Sequence, residues 1–328
     1  MLVVAGNSSA RAQLSVVKDL GCKLDDYTFD NGPILNAVFE RLGKAGRMEI
    51  NQELYFPGGA LVFSTPLVLP AKTGVSLRGN GITFGLPEQS YEGVQGGPAS
   101  RLVYTGPPDK PAITYRGYGL KLDGITLQRG KQAFPPSEPK HDGSVGLEIQ
   151  GYGNLPTGKI FAPVFAVSGF DVGIRCSPEP HENNADESLF GFLYAENCQT
   201  VFRSDNQQCT GFQFLRVKVN GWCETVFDYR RGGDLVCDFL SLNAKSLVLR
   251  IRDIDGNTCN YEIRTLKVDN NSAGWRLVEM EKPGPLRLRI GGTLGKRATP
   301  GENPIVLLGD PAIRDVVIDL FQNGKRWP

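Results

Sequence analysis

Short segments in which apolar and polar residues alternate recur along most of the chain. They begin at positions 113, 147, 174, 202, 227, 249, 277 and 306, so that successive segments lie 22 to 34 residues apart. A second alternating run follows within each unit, for example over residues 211–220 and 285–292. Alternation over four to eight positions is typical of β-strands. Units of this length are too short for βαβ crossovers or for propeller blades, which need about 40 residues.

An asparagine closes the second run in four successive units. These residues are Asn197, Asn220, Asn243 and Asn270, at spacings of 23, 23 and 27 residues. Asparagine tolerates the left-handed conformation of a tight bend, and its amide can hydrogen-bond to the next amide along a stack. The pattern therefore predicts an all-β chain, a right-handed single-stranded parallel β-helix, with the four asparagines aligned at one corner.

The first 50 residues follow a different pattern. Asp30 or Asn31 can cap a helix over about 31–43, with Pro33 in its first turn. The apolar stripe of that helix consists of Ile34, Leu35, Val38 and Leu42. An open β-helix end exposes strand edges, so a helix laid across it is expected. We predict one domain, 1–328, with an N-terminal arm and capping helix in 1–50 and coils in 51–328.

The seven cysteines contain no CxxC pair, which argues against a zinc site or a disulfide framework. Cys209, Cys237 and Cys259 fall near the starts of second strands and are predicted to stack inside the coil. Cys198 and Cys223 follow the asparagine corner. Interior packing as thiols is the main prediction, and a Cys198–Cys223 disulfide is the alternative.

Composition narrows the range of partners. The net charge is +1 and charged residues make up 22% of the chain, so no overall field attracts nucleic acid or membrane. No stretch approaches the roughly 20 apolar residues of a membrane span. Residues 1–10 lack a basic region and a long apolar core, so no signal peptide is predicted in this chain. From these features alone the compartment stays open.

Two N-terminal stretches, 16–38 and 54–81, resemble the opening of the pectate-lyase-like superfamily. The matching features are an acidic pair before the helix, a Phe-Pro-Gly-Gly run and a Gly-Asn-Gly corner. They comprise Asp25, Asp26, residues 56–59 and residues 79–81. The resemblance to this superfamily, with its rhamnogalacturonase-type, epimerase-like and tailspike members, implies a pectin-lyase-like β-helix that binds or cleaves acidic polysaccharide, outside the cell or in the periplasm. The chain carries no counterpart of the family's catalytic motifs, so a hydrolase, a lyase and an inactive binder all stay open.

The first strands predict two outward columns of side chains. One column contains Thr114, Glu148, Arg175, Arg203, Asp228, Arg250 and Val278, and the next contains Arg116, Gln150, Ser177, Asp205, Arg230, Arg252 and Met280. Coils lie about 4.8 Å apart, which puts Asp205 and Asp228 on a diagonal with Cα atoms about 8 Å apart. Carboxyl groups of glycoside hydrolases are about 5–9.5 Å apart, so these two residues are the predicted catalytic pair.

Five arginines surround this pair and are the predicted substrate-binding residues. They are Arg175, Arg203, Arg230, Arg250 and Arg252. Guanidinium groups bind carboxylates and sulfates of a sugar chain in bidentate fashion. Because they also stabilise an ionised carboxylate, they favour uronate binding or elimination over hydrolysis, which needs a protonated acid. The alternative is a salt-bridge checkerboard on an exposed sheet, and a one-residue register slip would turn the set inward.

No cofactor is predicted except, as a minor alternative, calcium. The loop 177–188 carries Glu179, His181, Glu182, Asp186 and Glu187 beside two asparagines, and oxygen ligands of this kind suit calcium. Acidic surface loops are more often simply solvated. The Pro-rich insertion 131–142 is predicted to form a groove wall.

Two classes of function follow. The first is a carbohydrate-active protein that binds, and as an enzyme would cleave, an acidic polysaccharide. The alternative is a non-catalytic structural or glycan-binding β-helix, such as a spike or adhesin shaft, which should show an exposed apolar stripe for trimerisation. A monomer and a homotrimer are both open. Tyr152 and Trp222 are candidates for stacking on sugar rings, whereas Trp275 is predicted to be core.

Overall fold

The protein is a right-handed parallel β-solenoid of about 8 turns, seen in a computed structural model. The structure describes residues 13–44, 50–69, 74–82, 99–117, 119–130, 142–150, 157–177, 185–206, 209–243, 245–254, 259–270 and 272–327. About 56% of the described residues are in strands and 6% are helical, and these residues include a single short α-helix near the N-terminus. The predicted fold class is confirmed.

The elements are numbered here in chain order. The helices are α1 (Gly32–Lys44) and a short 3-10 turn (Pro311–Ile313). The earlier strands are β1 (Gln13–Ser15), β2 (Ile50–Tyr55), β3 (Gly59–Phe63), β4 (Leu67–Leu69), β5 (Gly74–Arg78), β6 (Ser100–Tyr104), β7 (Ile113–Tyr115), β8 (Gly119–Arg129), β9 (Val145–Ile149), β10 (Thr157–Gly158), β11 (Ile160–Ser168), β12 (Val172–Cys176) and β13 (Ala185–Asp186). The later strands are β14 (Leu189–Glu196), β15 (Thr200–Ser204), β16 (Phe212–Asn220), β17 (Thr225–Tyr229), β18 (Leu235–Asn243), β19 (Leu247–Ile251), β20 (Cys259–Val268), β21 (Ala273–Met280), β22 (Leu286–Leu294), β23 (Thr299–Pro300), β24 (Ile305–Val306), β25 (Arg314–Gln322) and β26 (Lys325–Arg326).

The described strands form two large sheets. Sheet A has 14 strands and runs from β1 at the N-terminal end to β25 and β26 at the other, with β3 and β6 off the main path. Sheet B has 10 strands and contains the short opening segments, from β4 to β21 with β23 and β24 at its end. Neighbouring strands are parallel in both sheets except for β26, which pairs antiparallel with β25.

The later strands of sheet A turn a corner in their middle. In β16, Phe214 and Val217 are buried, but Leu215 and Arg216 between them are both exposed. Two successive outward side chains break the period of two that a straight strand requires, so the strand bends there. The same interruption occurs in β14, β18 and β20. We call the part of sheet A before this corner A1 and the part after it A2, so a coil has three sides: A1, A2 and B.

The interior is one continuous apolar core in which side chains stack from coil to coil. Phe190 and Phe214, one coil apart, have ring centroids 5.1 Å apart and nearly parallel planes. Trp275 is fully buried, as predicted. Stacked aromatic rings of this kind contribute about 0.5–1.5 kcal/mol each beyond the area they bury.

All seven cysteines are buried thiols, which confirms the prediction of interior packing. The predicted stack of Cys209, Cys237 and Cys259 is wrong. Cys237 pairs in register with Phe214 and Ile263, and the Sγ atom of Cys209 lies 3.5 Å from that of Cys176. The cysteines fall on different positions of the coil because the loops between sheets B and A1 differ in length.

Helix α1 matches the predicted capping helix to within one residue. Its buried side chains Leu35, Val38 and Phe39 join the core. The backbone carbonyl of Asn31 accepts the N–H of Leu35, so Asn31 is the first residue of the helical hydrogen-bond pattern. Sheet A also includes β1, which precedes the helix and was not predicted. No helix in the described part of the chain has the length and apolar character of a membrane span.

The predicted four-asparagine ladder is only half present. Asn220 and Asn243 lie opposite each other in β16 and β18, but the residue opposite Asn220 in β14 is Glu196. Asn197 therefore lies one position later, in the turn. Asn270 likewise follows the end of β20, and its Oδ1 accepts the backbone N–H of Lys296.

Candidate functional site on the outer face of sheet B

The strand register of sheet B places the predicted residues in two outward columns. Direct pairings connect the first column from Thr114 to Arg250 in the predicted order. Backbone hydrogen bonds continue the same register into the second column, for example from Arg230 N–H to the Ser204 carbonyl. The prediction fails in the last coil, where Leu249 pairs with Val278 instead of Leu277. Glu279 and Glu281 therefore occupy the positions predicted for Val278 and Met280.

Asp228 lies at the centre of this face and is almost inaccessible. Its side chain is 2% exposed. Its Oδ1 accepts the Nε–H of Arg252 at 2.9 Å, and its Oδ2 accepts Nη2 of Arg252 at 3.2 Å and Nε of Arg230 at 3.3 Å. Both carboxylate oxygens are thus occupied by guanidinium donors from its own strand and from the next coil.

Asp205 is held in the same way, one coil earlier. Arg203 donates Nε to both of its oxygens, at 3.0 and 2.9 Å. Nε of Arg230 lies 3.6 Å from Oδ1 of Asp205 and so bridges this carboxylate to Asp228. The two aspartates are diagonal neighbours as predicted, with an arginine between their carboxylates.

Arginine–carboxylate contacts also occur at the two ends of these columns. Nε of Arg175 donates to the buried carboxylate of Glu148 at 2.8 Å. Arg250 has looser contacts, with Nη2 3.8 Å from Glu279 and Nε 3.9 Å from Glu281. Nε of Arg250 is buried and has no hydrogen-bond partner among the described residues. Arg250 is therefore the sheet B arginine that the surrounding carboxylates satisfy least.

Opposing effects act on the pKa of Arg252. Burial acts to lower its pKa, but the hydrogen bond and charge of Asp228, followed by the charges of Glu281 and Glu279, outweigh burial and raise the pKa above its ordinary value. The guanidinium stays charged under all conditions in which the protein is folded. The outer face of sheet B is therefore an array of fixed ions of both signs.

Other predicted site residues are not placed by the structure. Of the loop proposed for calcium, 178–184 lies outside the described residues, as do 131–141 of the Pro-rich insertion and Tyr152. In the parts of the chain that the structure describes, no three His, Cys, Asp or Glu side chains are grouped as a metal ion would need. Calcium binding stays a prediction.

A second polar cluster, on the outside of A2, was missed in the sequence. Glu196 is 7% exposed, and Nδ2 of Asn220 donates to its Oε1 at 3.4 Å. Burial raises the pKa of Glu196, and hydrogen bonds from Asn220 and Tyr194 oppose that shift only in part. Glu196 forms no salt bridge within the described residues, unlike the carboxylates of sheet B. The sequence signal for this cluster is Glu196, the acidic residue that ends the run FGFLYAE. The prediction instead used the next residue, Asn197, as the corner of the coil.

A comparison of the chain with protein-family models finds no matching family, and a search of curated proteins finds no match either. The parallel β-helix is consistent with carbohydrate-active and with structural β-helix proteins. The resemblance to the pectate-lyase-like superfamily has no support from these comparisons and stays a prediction.

Proposed function

We propose that this protein binds an acidic polysaccharide and that the arginine columns of sheet B form a contact surface for it. The observation that carries the proposal is the register, which repeats guanidinium groups on one flat face from Arg175 to Arg252. Adjacent coils are about 4.8 Å apart, so the array is continuous along the solenoid axis. At least one arginine recurs in each of these coils, with the two aspartates among them, and such a spacing suits a polymer that carries regular carboxylates.

The carboxylates of this face orient the arginine side chains but leave some of their N–H donors without a hydrogen-bond partner among the described residues. An arginine carries five N–H donors. Asp205 and Asp228 engage mainly the Nε edges of Arg203, Arg230 and Arg252. Spare donors on these partly exposed groups can bind a uronate carboxylate, and a pre-oriented guanidinium loses little side-chain entropy when it does so. Arg250 has the most donors left.

The catalytic role of Asp205 and Asp228 stays a prediction, and their contacts favour positioning over catalysis. A nucleophile or base needs a free oxygen next to the substrate. Both oxygens of Asp228 are occupied, and its side chain is nearly inaccessible. We therefore propose binding as the function of this face. Cleavage by hydrolysis or elimination would require another group to transfer the proton.

One observation favours the alternative, a non-catalytic shaft that associates with copies of itself. On A1, Phe161 is 46% exposed and pairs with the partly exposed Leu189. Leu215, 44% exposed, and the partly exposed Val236 lie in the next two coils, with the polar Gln213 between Leu189 and Val236. Exposed apolar patches that extend over several coils mark interaction sites. Sedimentation equilibrium tests this alternative: a trimer that Leu215→Lys dissociates supports it, and a monomer at all concentrations contradicts it.

The test of the proposed function is binding of oligouronates, measured by calorimetry. Oligomers of polygalacturonate, alginate and hyaluronan are titrated into the wild-type protein and into Arg230→Gln and Arg250→Gln. We expect each variant to lose about tenfold in affinity, since a charge-assisted hydrogen bond contributes about 1.5–3 kcal/mol. Arg289→Gln is the matched control, because Arg289 is an exposed arginine already paired with Asp315 on A1.

Three outcomes are informative. Binding that weakens only in the sheet B variants supports the proposal. Wild-type binding that both sheet B variants retain would exclude these columns, and an absence of binding to every acidic oligomer would exclude the function itself. New reducing ends or unsaturated products in the same mixtures would show that the protein also cleaves its ligand.

A further inference from the structure

The outer surface of A2 carries two cations, Arg216 and Lys218, for which the described residues supply no carboxylate partner. Arg216 and Lys218 lie on the same side of β16, two residues apart. Neither side chain forms a salt bridge within the described part of the chain, whereas Arg203, Arg230 and Arg252 on sheet B all do. Alternate residues of a strand are about 6.7 Å apart, so one anionic group can contact both side chains. An anion gains most from cations that are not already paired.

Arg216 is held in place by two phenylalanines from the neighbouring coils. Its guanidinium carbon lies 5.3 Å from the ring centroid of Phe192 and 5.6 Å from that of Phe239. The strand register puts Phe192, Arg216 and Phe239 directly opposite one another. Stacking on both sides uses the faces of the guanidinium plane and leaves its N–H edge for a ligand. The cation is thus both oriented and available.

Hydrogen-bonding side chains lie on the same surface, towards the turn. Asn220 follows Lys218 by two residues, and its Nδ2 donates to Tyr194 at 3.3 Å and to Glu196 at 3.4 Å. Asn243 continues this row by donating to Oδ1 of Asn220 at 3.0 Å. Side-chain amides arranged in this way can bind sugar hydroxyls, and the partly exposed ring of Phe239 offers apolar surface for the face of a sugar ring.

We propose that A2 contains a uronate-binding site in which Arg216 and Lys218 hold the carboxylate of one sugar residue, and Asn220 binds hydroxyls of the same or the next residue. This proposal rests on the proposed function for its ligand class, but it adds a separate surface. Phe192 and Phe239 fix Arg216, and Phe239 borders the sugar. The site is on a different side of the solenoid from the sheet B columns, so the two surfaces can be inactivated independently.

The test uses the full chain and the same oligouronates, with carboxyl-reduced oligomers as neutral counterparts. Binding is measured for wild type, Arg216→Gln, Lys218→Gln and the double variant. Arg264→Gln is the matched control: Arg264 is also an exposed arginine of sheet A, but it is already paired with Asp238 at 2.8 Å and Glu262 at 3.2 Å. All altered residues are on the surface, so circular dichroism should show unchanged folding.

We expect Arg216→Gln to weaken oligouronate binding about tenfold or more and the double variant to weaken it further, with Arg264→Gln unchanged. Binding to the carboxyl-reduced oligomer should be weak and indifferent to Arg216. A double variant that binds like wild type would overturn the A2 site while leaving the proposed function intact. If the wild-type protein binds no acidic oligomer, both the proposed function and this site for it are wrong. Loss of binding only in the sheet B variants would also exclude A2.

Discussion

Asn243 donates its side-chain amide to Oδ1 of Asn220 in the neighbouring coil, with an Nδ2–Oδ1 distance of 3.0 Å. Asn197 has a different role. It adopts a φ of 53° in the turn after β14, and its Oδ1 accepts the backbone N–H of Trp222 at 3.1 Å. The asparagines of this edge therefore do two separate things: some pair along the stack, and others shape the turn.

Replacement of the turn asparagine should cost more than replacement of the stacking one. Asn197→Ala removes a hydrogen bond and leaves a Cβ-bearing residue with no polar side chain in the left-handed region, so we expect a loss of about 1–3 kcal/mol in the free energy of unfolding. Asn243→Ala removes one side-chain hydrogen bond, to Asn220, at an exposed position, for a loss of about 0.5–1 kcal/mol. Urea unfolding measures both.

Asn197→Gly separates the two contributions. Glycine adopts the left-handed conformation freely, so this variant should lose less stability than Asn197→Ala. Equal losses for Asn197→Ala and Asn243→Ala would contradict the distinction between turn and stack.

The second prediction concerns Asp228. Asp228→Asn replaces the carboxylate by a neutral amide, whose NH2 group would face the N–H donors of Arg230 and Arg252. We therefore expect a loss of about 2–4 kcal/mol in the free energy of unfolding. The carboxylate is nearly inaccessible, so the loss should persist at high salt. Thermal unfolding at two salt concentrations provides the measurement.

Asp238→Asn is the control for this change. Asp238 pairs with Arg264 at an exposed position, where an ion pair contributes about 0–1 kcal/mol and is screened by salt. If Asp228→Asn were as mild as Asp238→Asn, the Asp228 carboxylate would not be needed to fix the arginines. A variant of full stability that lost a measured cleavage activity would instead support the predicted catalytic role.

The alternation of apolar and polar residues was sufficient to predict the sheet B register through Leu249. It failed at β21 because Leu277 and Val278 are successive residues and both are fully buried. Either residue could fill the inward position opposite Leu249, and period-two reasoning cannot tell that Val278 is the one that pairs with it. The consequence is chemical, since two glutamates take the positions expected for apolar residues.

The A2 surface was missed for a related physical reason. At the corner of each later sheet A strand, two successive residues point outward. Beyond the corner, the positions that would face inward in a straight strand therefore face outward. Phe192, Arg216 and Phe239 fall on the second of these positions. A pattern read as one straight strand assigns them to the inside. The strand itself was predictable, but the side of the solenoid that Arg216 faces depends on where the chain bends.

The third prediction is an acid-dependent loss of the N-terminal cap. Asp30 accepts hydrogen bonds from Gly32 N–H and Ser64 N–H, both at 2.9 Å, and from the Thr65 hydroxyl at 2.6 Å. Burial acts to raise its pKa, but these bonds outweigh burial and lower the pKa from 3.8 to about 2. A lowered folded-state pKa means that the stability contributed by Asp30 is complete above about pH 4 and lost as the pH falls towards 2.

Asp30→Asn should therefore destabilise the protein by about 1–2 kcal/mol at pH 7, a figure reduced for solvent screening, and by much less at pH 2. Chemical denaturation at both pH values measures the difference. Asp109→Asn, at an exposed position paired with its neighbour Lys110, should have little effect at either pH. A pH-independent loss for Asp30→Asn would show that packing, and not charge, holds the start of α1.

The last prediction concerns Glu196, whose contribution to stability should change with pH in the opposite direction to that of Asp30. Burial raises the pKa of this carboxyl above its ordinary 4.5, and hydrogen bonds from Asn220 and Tyr194 compensate only in part. The folded state therefore holds a proton that the unfolded chain releases, so this contribution to stability is complete below about pH 4.5 and falls as the pH rises through the folded-state pKa.

Glu196→Gln keeps the shape and the acceptor oxygen but cannot ionise. We expect it to be more stable than wild type at pH 8, with the difference shrinking to nothing near pH 4 in a series of urea titrations. Glu224→Gln, an exposed carboxyl in the next turn, is the control and should show no such trend. A Glu196→Gln variant less stable than wild type at pH 8 would mean that the ionised carboxylate is satisfied in the fold and that A2 already compensates its charge.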